Sequence, residues 1–292
     1  MAAQPNPTVK RRQLGVELRR LRLASGLKST EVAERLMVSQ PKISHLENGN
    51  RAVSPRDVRD LCALYGVTDQ QVIDTLMAMA AESGQRGWWH SYGDIPQSTY
   101  IGLETDAAYL RTYEPMLIPA LLQTPAYART VIEEAAPQLT AEQVATRLKV
   151  RLRRQHRIHN PARLLRLSAV LDESVLHRVV GNPEIMREQL EHLNSLGAEP
   201  HITVQVLPYT AGAHAGLPGQ FSILQFADSP VGVVYVERFD NDLYLKKPSD
   251  VGTFSVMHDQ MQVKALDAVG SRDVIAECLC VMRQVATPRK AS

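Results

Sequence analysis

The chain has only three cysteines in 292 residues, Cys62, Cys278 and Cys280. Three thiols so unevenly spaced build neither a disulfide framework nor a metal motif. Free thiols in a reducing compartment are expected instead. Aromatics are scarce at 5%, and both tryptophans stand side by side at Trp88-Trp89. No apolar run approaches the roughly 18 residues of a membrane span, and the polar, proline-containing start MAAQPNPT does not read as a signal peptide. A cytoplasmic protein with no membrane partner is expected. The sequence also lacks a G-x-S-x-G element, a phosphate-cradling glycine loop and a metal-ligand cluster. It is therefore read as a non-enzyme, with no catalytic residues, no metal and no cofactor.

Length and bulk composition are those of an ordinary globular chain, with room for one large or two modest domains. The net charge of +2 is uninformative until it is divided along the sequence. Residues 1–51 hold ten Lys/Arg and four acids, a net +6, which leaves −4 for the remainder. A basic amino end on a nearly neutral body is the electrostatic footprint of a nucleic-acid-binding module.

That basic end contains GLKSTEVAERLMVSQPKISHLENGNR at residues 26–51. Val32, Ala33 and Leu36 recur at helical spacing, and Met37-Val38 read as a turn. Ser39 is placed to cap a second helix, and Pro41 falls in its first turn, where a missing N–H is tolerated. Ile43 and Leu46 face inward, while Gln40, Lys42, Ser44 and His45 stay outside, and Asn48-Gly49 ends the helix. A short helix with amides, hydroxyls and cations outward suits a DNA major groove. An ordinary helical hairpin with a solvated face would show the same pattern.

The run S-Q-P-K-I-S-x-L-E-N-G resembles the recognition helix of XRE-type, phage-repressor-like helix-turn-helix regulators, with the likeness extending over residues 10–83. The resemblance implies that Ser29 and Thr30 touch phosphates, that Gln40, Pro41, Lys42, Ser44 and His45 face base edges, and that Asn48 and Arg51 hold the DNA backbone. It also implies an internal ion pair between Arg22 and Glu47. His45 stands where many relatives carry Arg or Gln.

The expected organisation is an all-α, five-helix helix-turn-helix domain over 9–83, followed by an α+β domain over 87–286 with a sheet of about five strands. A disordered tail is expected over 1–8. In the first domain, Ser54-Pro55 opens the fourth helix, and Thr68-x-x-Gln71 reads as a capping box for the fifth. The Trp88-Trp89 pair is expected to plug the second domain's core or the junction. Residues 100–111 look helical. Thr140-x-x-Gln143 opens a long helix to about 159, and from its later half onward, between Arg147 and Arg166, there are eight basic side chains and no acid. That run is either a solvated face paired with acids elsewhere, a phosphate-contacting surface or an anion-binding wall. Strands follow at 165–171, 202–206, 221–226 and 231–237, with an edge strand at 243–246. The fourth, apolar on both faces, is expected to be central.

The segments G-W-W, R-T-Y-E-P, L-L-Q-T-P-x-Y-A-R, R-L-R-R-Q, V-L-P, G-A-H and V-V-Y-V-E resemble the large carboxy-terminal domain of actinobacterial WhiJ-like, antitoxin-like regulators. Ala120 stands where that family's run has Gly. The resemblance implies a transcriptional regulator that binds double-stranded DNA, with a small protein encoded nearby as a possible partner. A homodimer on a pseudo-palindrome is expected, because one recognition helix reads few base pairs. Its interface should use the Val72, Leu76 and Met79 face or the second domain. Control by a protein partner or a small-molecule effector is expected at Arg151, Arg153 and Arg154 or at the glycine-flanked His214. Catalysis would require His214 within hydrogen-bond reach of Asp172 or Glu173.

Overall fold

The structure, a computed structural model, describes residues 7–84, 87–93, 95–227, 229–238 and 242–286. Most of the expected 1–8 tail lies outside them. The chain divides into two compact units, Met1–Asp106 and Ala107–Ser292. Among the described residues no helix is long and apolar enough to cross a membrane.

The first unit begins with five helices: α1 (Pro7–Ala24), α2 (Ser29–Arg35), α3 (Gln40–Glu47), α4 (Pro55–Leu64) and α5 (Gln70–Ser83). Their apolar stripes meet in one core that includes Leu14, Leu18, Val32, Ile43, Leu46, Val58, Leu61 and Leu76. Ser54 caps α4 by accepting from the Asp57 N–H at 3.0 Å, and Asp57 returns the bond to the Ser54 N–H. The cap expected at Thr68 falls one residue later. Asp69 accepts from the Gln71 and Val72 amides, since a carboxylate outcompetes the neighbouring hydroxyl for the orphan donors. The face of α5 expected to dimerise is spent within the unit: Leu76 is buried, and Val72 and Met79 pack against the same core.

The expected turn at Met37 forms at a cost. Met37 has φ 53 and is 93% exposed, so a long side chain occupies a left-handed position with no packing in return. Such a conformation costs a non-glycine residue about 1–2 kcal/mol. Met37→Gly is therefore expected to stabilise the unit by about 1 kcal/mol, read as a raised Tm. A Tm at or below the parent's would show the turn to be unstrained.

Trp88 and Trp89 lie in a 3-10 turn (Trp88–Tyr92) that precedes α6 (Ser98–Asp106), and both elements cluster with the first unit. Trp89 is buried, its ring lying where a Gly87 Cβ would be, and the Trp88 Nε1–H donates to Thr105 Oγ1 at 3.3 Å.

The second unit holds β1 (Tyr109–Glu114), α7 (Pro125–Ala135), α8 (Ala141–His159), β2 (Arg166–Asp172), α9 (Ser174–His177), α10 (Pro183–Leu196), β3 (Ile202–Leu207), β4 (Phe221–Phe226), β5 (Ser229–Val236), β6 (Leu243–Leu245), α11 (Pro248–Lys264) and α12 (Ala268–Ala286). Among the described residues the strands form one six-stranded mixed sheet in the order β3-β2-β1-β4-β5-β6. The class is α+β as expected, with one strand more. β1 pairs parallel with β2 and antiparallel with β4, so it is interior. This corrects the helical reading of 100–111: the helix ends at Asp106 and a strand starts three residues later. β5, expected at the centre, instead lies one strand in from the β6 edge, with Val233 and Val234 both fully buried. Ala120 has no left-handed backbone, since Met37 and Gln97 are the only described non-glycine residues with positive φ.

Candidate nucleic-acid interface

The α2–turn–α3 unit is assembled from local bonds. Glu31 accepts from the Lys28 N–H at 2.6 Å, and Ser39 caps α3 by accepting from the Lys42 N–H at 3.4 Å. Pro41 follows within the first turn of α3. Ile43 and Leu46 are buried, which turns Gln40, Pro41 and His45 outward as exposed side chains and leaves Ser44 half-exposed. Gln40 donates to Ser29 Oγ at 3.3 Å, joining the start of α3 to the start of α2. Asn48 donates to Ser44 Oγ at 3.3 Å. Thr30 and Arg51 are exposed. Six of the nine residues singled out as DNA contacts thus lie on α3 or its end cap, with Arg51 three residues beyond the cap and Ser29 and Thr30 at the start of α2.

Lys42 is the exception in orientation. Its Nζ lies 2.9 Å from Asp57 Oδ1, at the start of α4. Burial opposes ionisation of Asp57, but hydrogen bonds from Ser54 and Lys42 outweigh it and hold the carboxyl below its usual range. A base contact by Lys42 would have to exchange that pair for DNA.

The angle of α3 is set from behind. Arg22 Nε and Nη2 donate to the two Glu47 oxygens at 2.6 and 2.9 Å, and Nη1 donates to the Leu27 carbonyl at 2.8 Å. Both side chains are about nine-tenths buried, at 10% and 8% exposure. The hydrogen bond to Glu47 raises the Arg22 pKa against the desolvation that would lower it. A two-pronged bond fixes direction as well as distance, so it orients the helix that carries the outward polar row.

Two glycines complete the mount, Gly49, expected as the end of the helix, and Gly15, which sequence reasoning passed over. A Cβ on Gly15 would stand 2.6 Å from the Leu46 and Glu47 carbonyl oxygens, so α1 and the end of α3 touch through backbone there. Gly49 has φ 67, and a Cβ on it would meet the Arg12 Cα at 2.8 Å. Gly15 sits in mid-helix, and a lone helical glycine carries no signal of close approach unless the neighbour is known.

In the second unit the arginine run does not form a single face. Arg154 is buried and Arg151 donates to Gln123 Oε1 at 2.8 Å, while Arg153 is exposed. Burial and Asp242 raise the Glu237 pKa, with Arg151 and Arg154 pulling against them. Arg157 donates to the Ala107 carbonyl at 2.7 Å and to the Arg163 carbonyl. Of the surface expected at Arg151, Arg153 and Arg154, Arg154 is thus buried and Arg151 half-buried, while Arg153 is exposed along with Lys149, Arg163 and Arg166. His214 stands elsewhere, edge-on to Tyr113 with ring centroids 5.6 Å apart, its Nδ1 accepting from the Gly216 N–H at 3.2 Å. Glu173 pairs with His177 and accepts from the Tyr209 amide, and Asp172 accepts from the Ser174 N–H. Among the described residues no hydrogen bond joins His214 to either carboxylate. Also among the described residues, no group of three His, Cys, Asp or Glu is arranged to hold a metal ion.

Comparison with known proteins matches residues 13–76 to a family described as a helix-turn-helix domain. Residues 97–277 match a family described as a domain of unknown function, DUF5753. No curated protein and no solved structure matches the chain.

Proposed function

Because the chain belongs to the DUF5753 family and carries a helix-turn-helix domain ahead of that region, we propose that it is a sequence-specific transcriptional regulator that works as a homodimer on a pseudo-palindromic operator. The observation that carries this reading is α3, whose outward row of Gln40, Ser44 and His45 is held by the buried Arg22–Glu47 bond. A symmetric pair would set two such helices roughly 34–36 Å apart, one DNA turn. On its sequence motifs we place the chain among the XRE-type, actinobacterial WhiJ-like, antitoxin-like regulators, acting in the cytoplasm. Its carboxy-terminal unit is a non-catalytic receiver for a small protein or a small-molecule effector. Any such input that weakens operator binding must itself bind less well to the DNA-bound form.

The test is duplex binding by fluorescence anisotropy, using DNA flanking the chain's own coding sequence. Replacing Gln40, Ser44 and His45 by alanine is expected to remove about 1–3 kcal/mol for each that reads a base. Arg51→Ala should weaken all sequences alike and lower the salt slope by about one. A triple variant that binds the operator as tightly as the parent would dismiss α3 as the reading helix.

A further inference from the structure

Lys42 is the one lysine or arginine on α3, and the helix that follows has taken hold of it. Its Nζ donates to Asp57 Oδ1 at 2.9 Å, with the two side chains 26% and 29% exposed. The carboxylate is not free to turn away. Its other oxygen, Oδ2, accepts from the Ser54 hydroxyl at 2.6 Å and from the Ser54 N–H at 3.2 Å, closing the capping box that starts α4. Those bonds leave Oδ1 facing Lys42. A device that begins one helix therefore also anchors a side chain of another.

The pair changes what α3 offers a duplex. With the lysine neutralised, the outward groups of the helix include the Gln40 amide, the Ser44 hydroxyl and the His45 imidazole, all of which can hydrogen-bond base edges. A loose lysine among them would be drawn to any phosphate and would strengthen binding to every sequence alike. Moving Lys42 to a phosphate would also leave Asp57 as a bare anion beside the duplex. The exchange trades one ion pair for another and adds a repulsion.

We infer that Asp57 is a positioning residue that sets specificity: it withholds Lys42 from the phosphates and so lowers affinity for non-operator DNA more than for the operator. The inference rests on the regulator reading above and deepens it. Asp57 touches no base in this role and acts through Lys42. Because an operator competes with a large excess of other sequence, the ratio of the two affinities matters more than either alone.

The experiment measures fluorescence anisotropy of the full chain on the operator duplex and on a random-sequence duplex, from about 50 to 200 mM salt. Asp57→Asn is expected to raise affinity for the random duplex about 10-fold at the low-salt end and to steepen its salt slope by about one contact, while the operator-to-random ratio falls. Adding Lys42→Met to Asp57→Asn should bring slope and ratio back to the parent's, which a mere change in helix stability would not do. Asp57→Gln keeps the S-x-x-Q form of the capping box and should behave as Asp57→Asn does, so a weakened start of α4 cannot mimic the result. Asn and Gln variants with the parent's slope would overturn the inference. So would a gain in affinity that survives Lys42→Met, because it would then come from the lost carboxylate alone. A parent that binds neither duplex overturns the regulator reading itself, whereas a parent that binds and is unaltered by Asp57→Asn overturns only the role of Asp57.

Discussion

Replacing Glu47 by alanine is expected to cost the amino-terminal unit about 3–5 kcal/mol and to abolish operator binding as well, since it strands one partner of a buried pair. Arg22 would keep the Leu27 carbonyl but lose both carboxylate bonds, 2.6 and 2.9 Å long, in a site where its own side chain is 10% exposed. A guanidinium does not neutralise itself to escape, so the desolvation penalty stays in the folded state. Against a total stability of about 5–15 kcal/mol for a domain, that loss leaves a substantial unfolded fraction. Both tryptophans lie in this unit, so intrinsic fluorescence during denaturant unfolding of the full chain reports its transition. Replacing both partners with apolar residues, Arg22→Met with Glu47→Leu, should recover most of the stability. Its operator affinity should stay below the parent's, because packing alone does not fix the direction of α3 as a bidentate bond does. A Glu47→Ala variant with the parent's midpoint would mean that the pair is superficial.

How far the sequence revealed this arrangement depended on the range of the forces involved. The α2–turn–α3 unit was legible because its determinants are local: a capping serine, a first-turn proline, a 3.6-residue apolar period and a terminal Asn-Gly. The Arg22–Glu47 bond spans 25 residues, and only resemblance brought it forward. β1 was lost for the converse reason. Its run Tyr-Leu-Arg-Thr-Tyr-Glu follows a helix with no glycine or proline between, and its polar residues are satisfied only by distant partners. Arg111 reaches Asp259 and Ser255, and Thr112 reaches Ser222 and the Phe221 carbonyl. The arginine run stays open between a paired face and an anion-binding one for the same reason. Spacing along α8 gives its angular positions, but whether Arg151 and Arg154 meet solvent or Gln123 and the neighbourhood of Glu237 depends on where the sheet and the 118–123 segment pack. Charge counts along a sequence are blind to that distinction.

His258 on α11 is expected to set a proton-linked penalty on the carboxy-terminal unit, visible only as a difference between parent and variant. The residue is fully buried against Phe221, and neither ring nitrogen makes a well-formed hydrogen bond. Burial lowers its pKa from 6.5 to about 4, the Arg111 guanidinium adds to that, and Asp259, the Thr112 backbone and Gln262 oppose it more weakly. With the folded pKa below the unfolded one, the unfolded chain binds more protons between these values. Stability from the neutral ring is thus complete above pH 6.5 and is lost as pH falls toward 4, by about 3 kcal/mol in all. Glu114 runs the other way. Burial pushes its pKa up to about 8, with Glu237 adding and the Thr112 hydroxyl opposing, so its contribution is lost as pH rises from 4.5 through 8. Between pH 4.5 and 6.5 the two slopes oppose each other and flatten the parent's curve. His258→Leu removes one of them, so its stability relative to the parent should climb by about 3 kcal/mol as pH drops from 6.5 to 4, whatever constant packing offset the leucine brings. Denaturant titrations at several pH values, following the carboxy-terminal transition by circular dichroism, measure that difference directly. Parallel parent and variant curves would mean that His258 titrates as it does in the unfolded chain and that its burial carries no electrostatic cost.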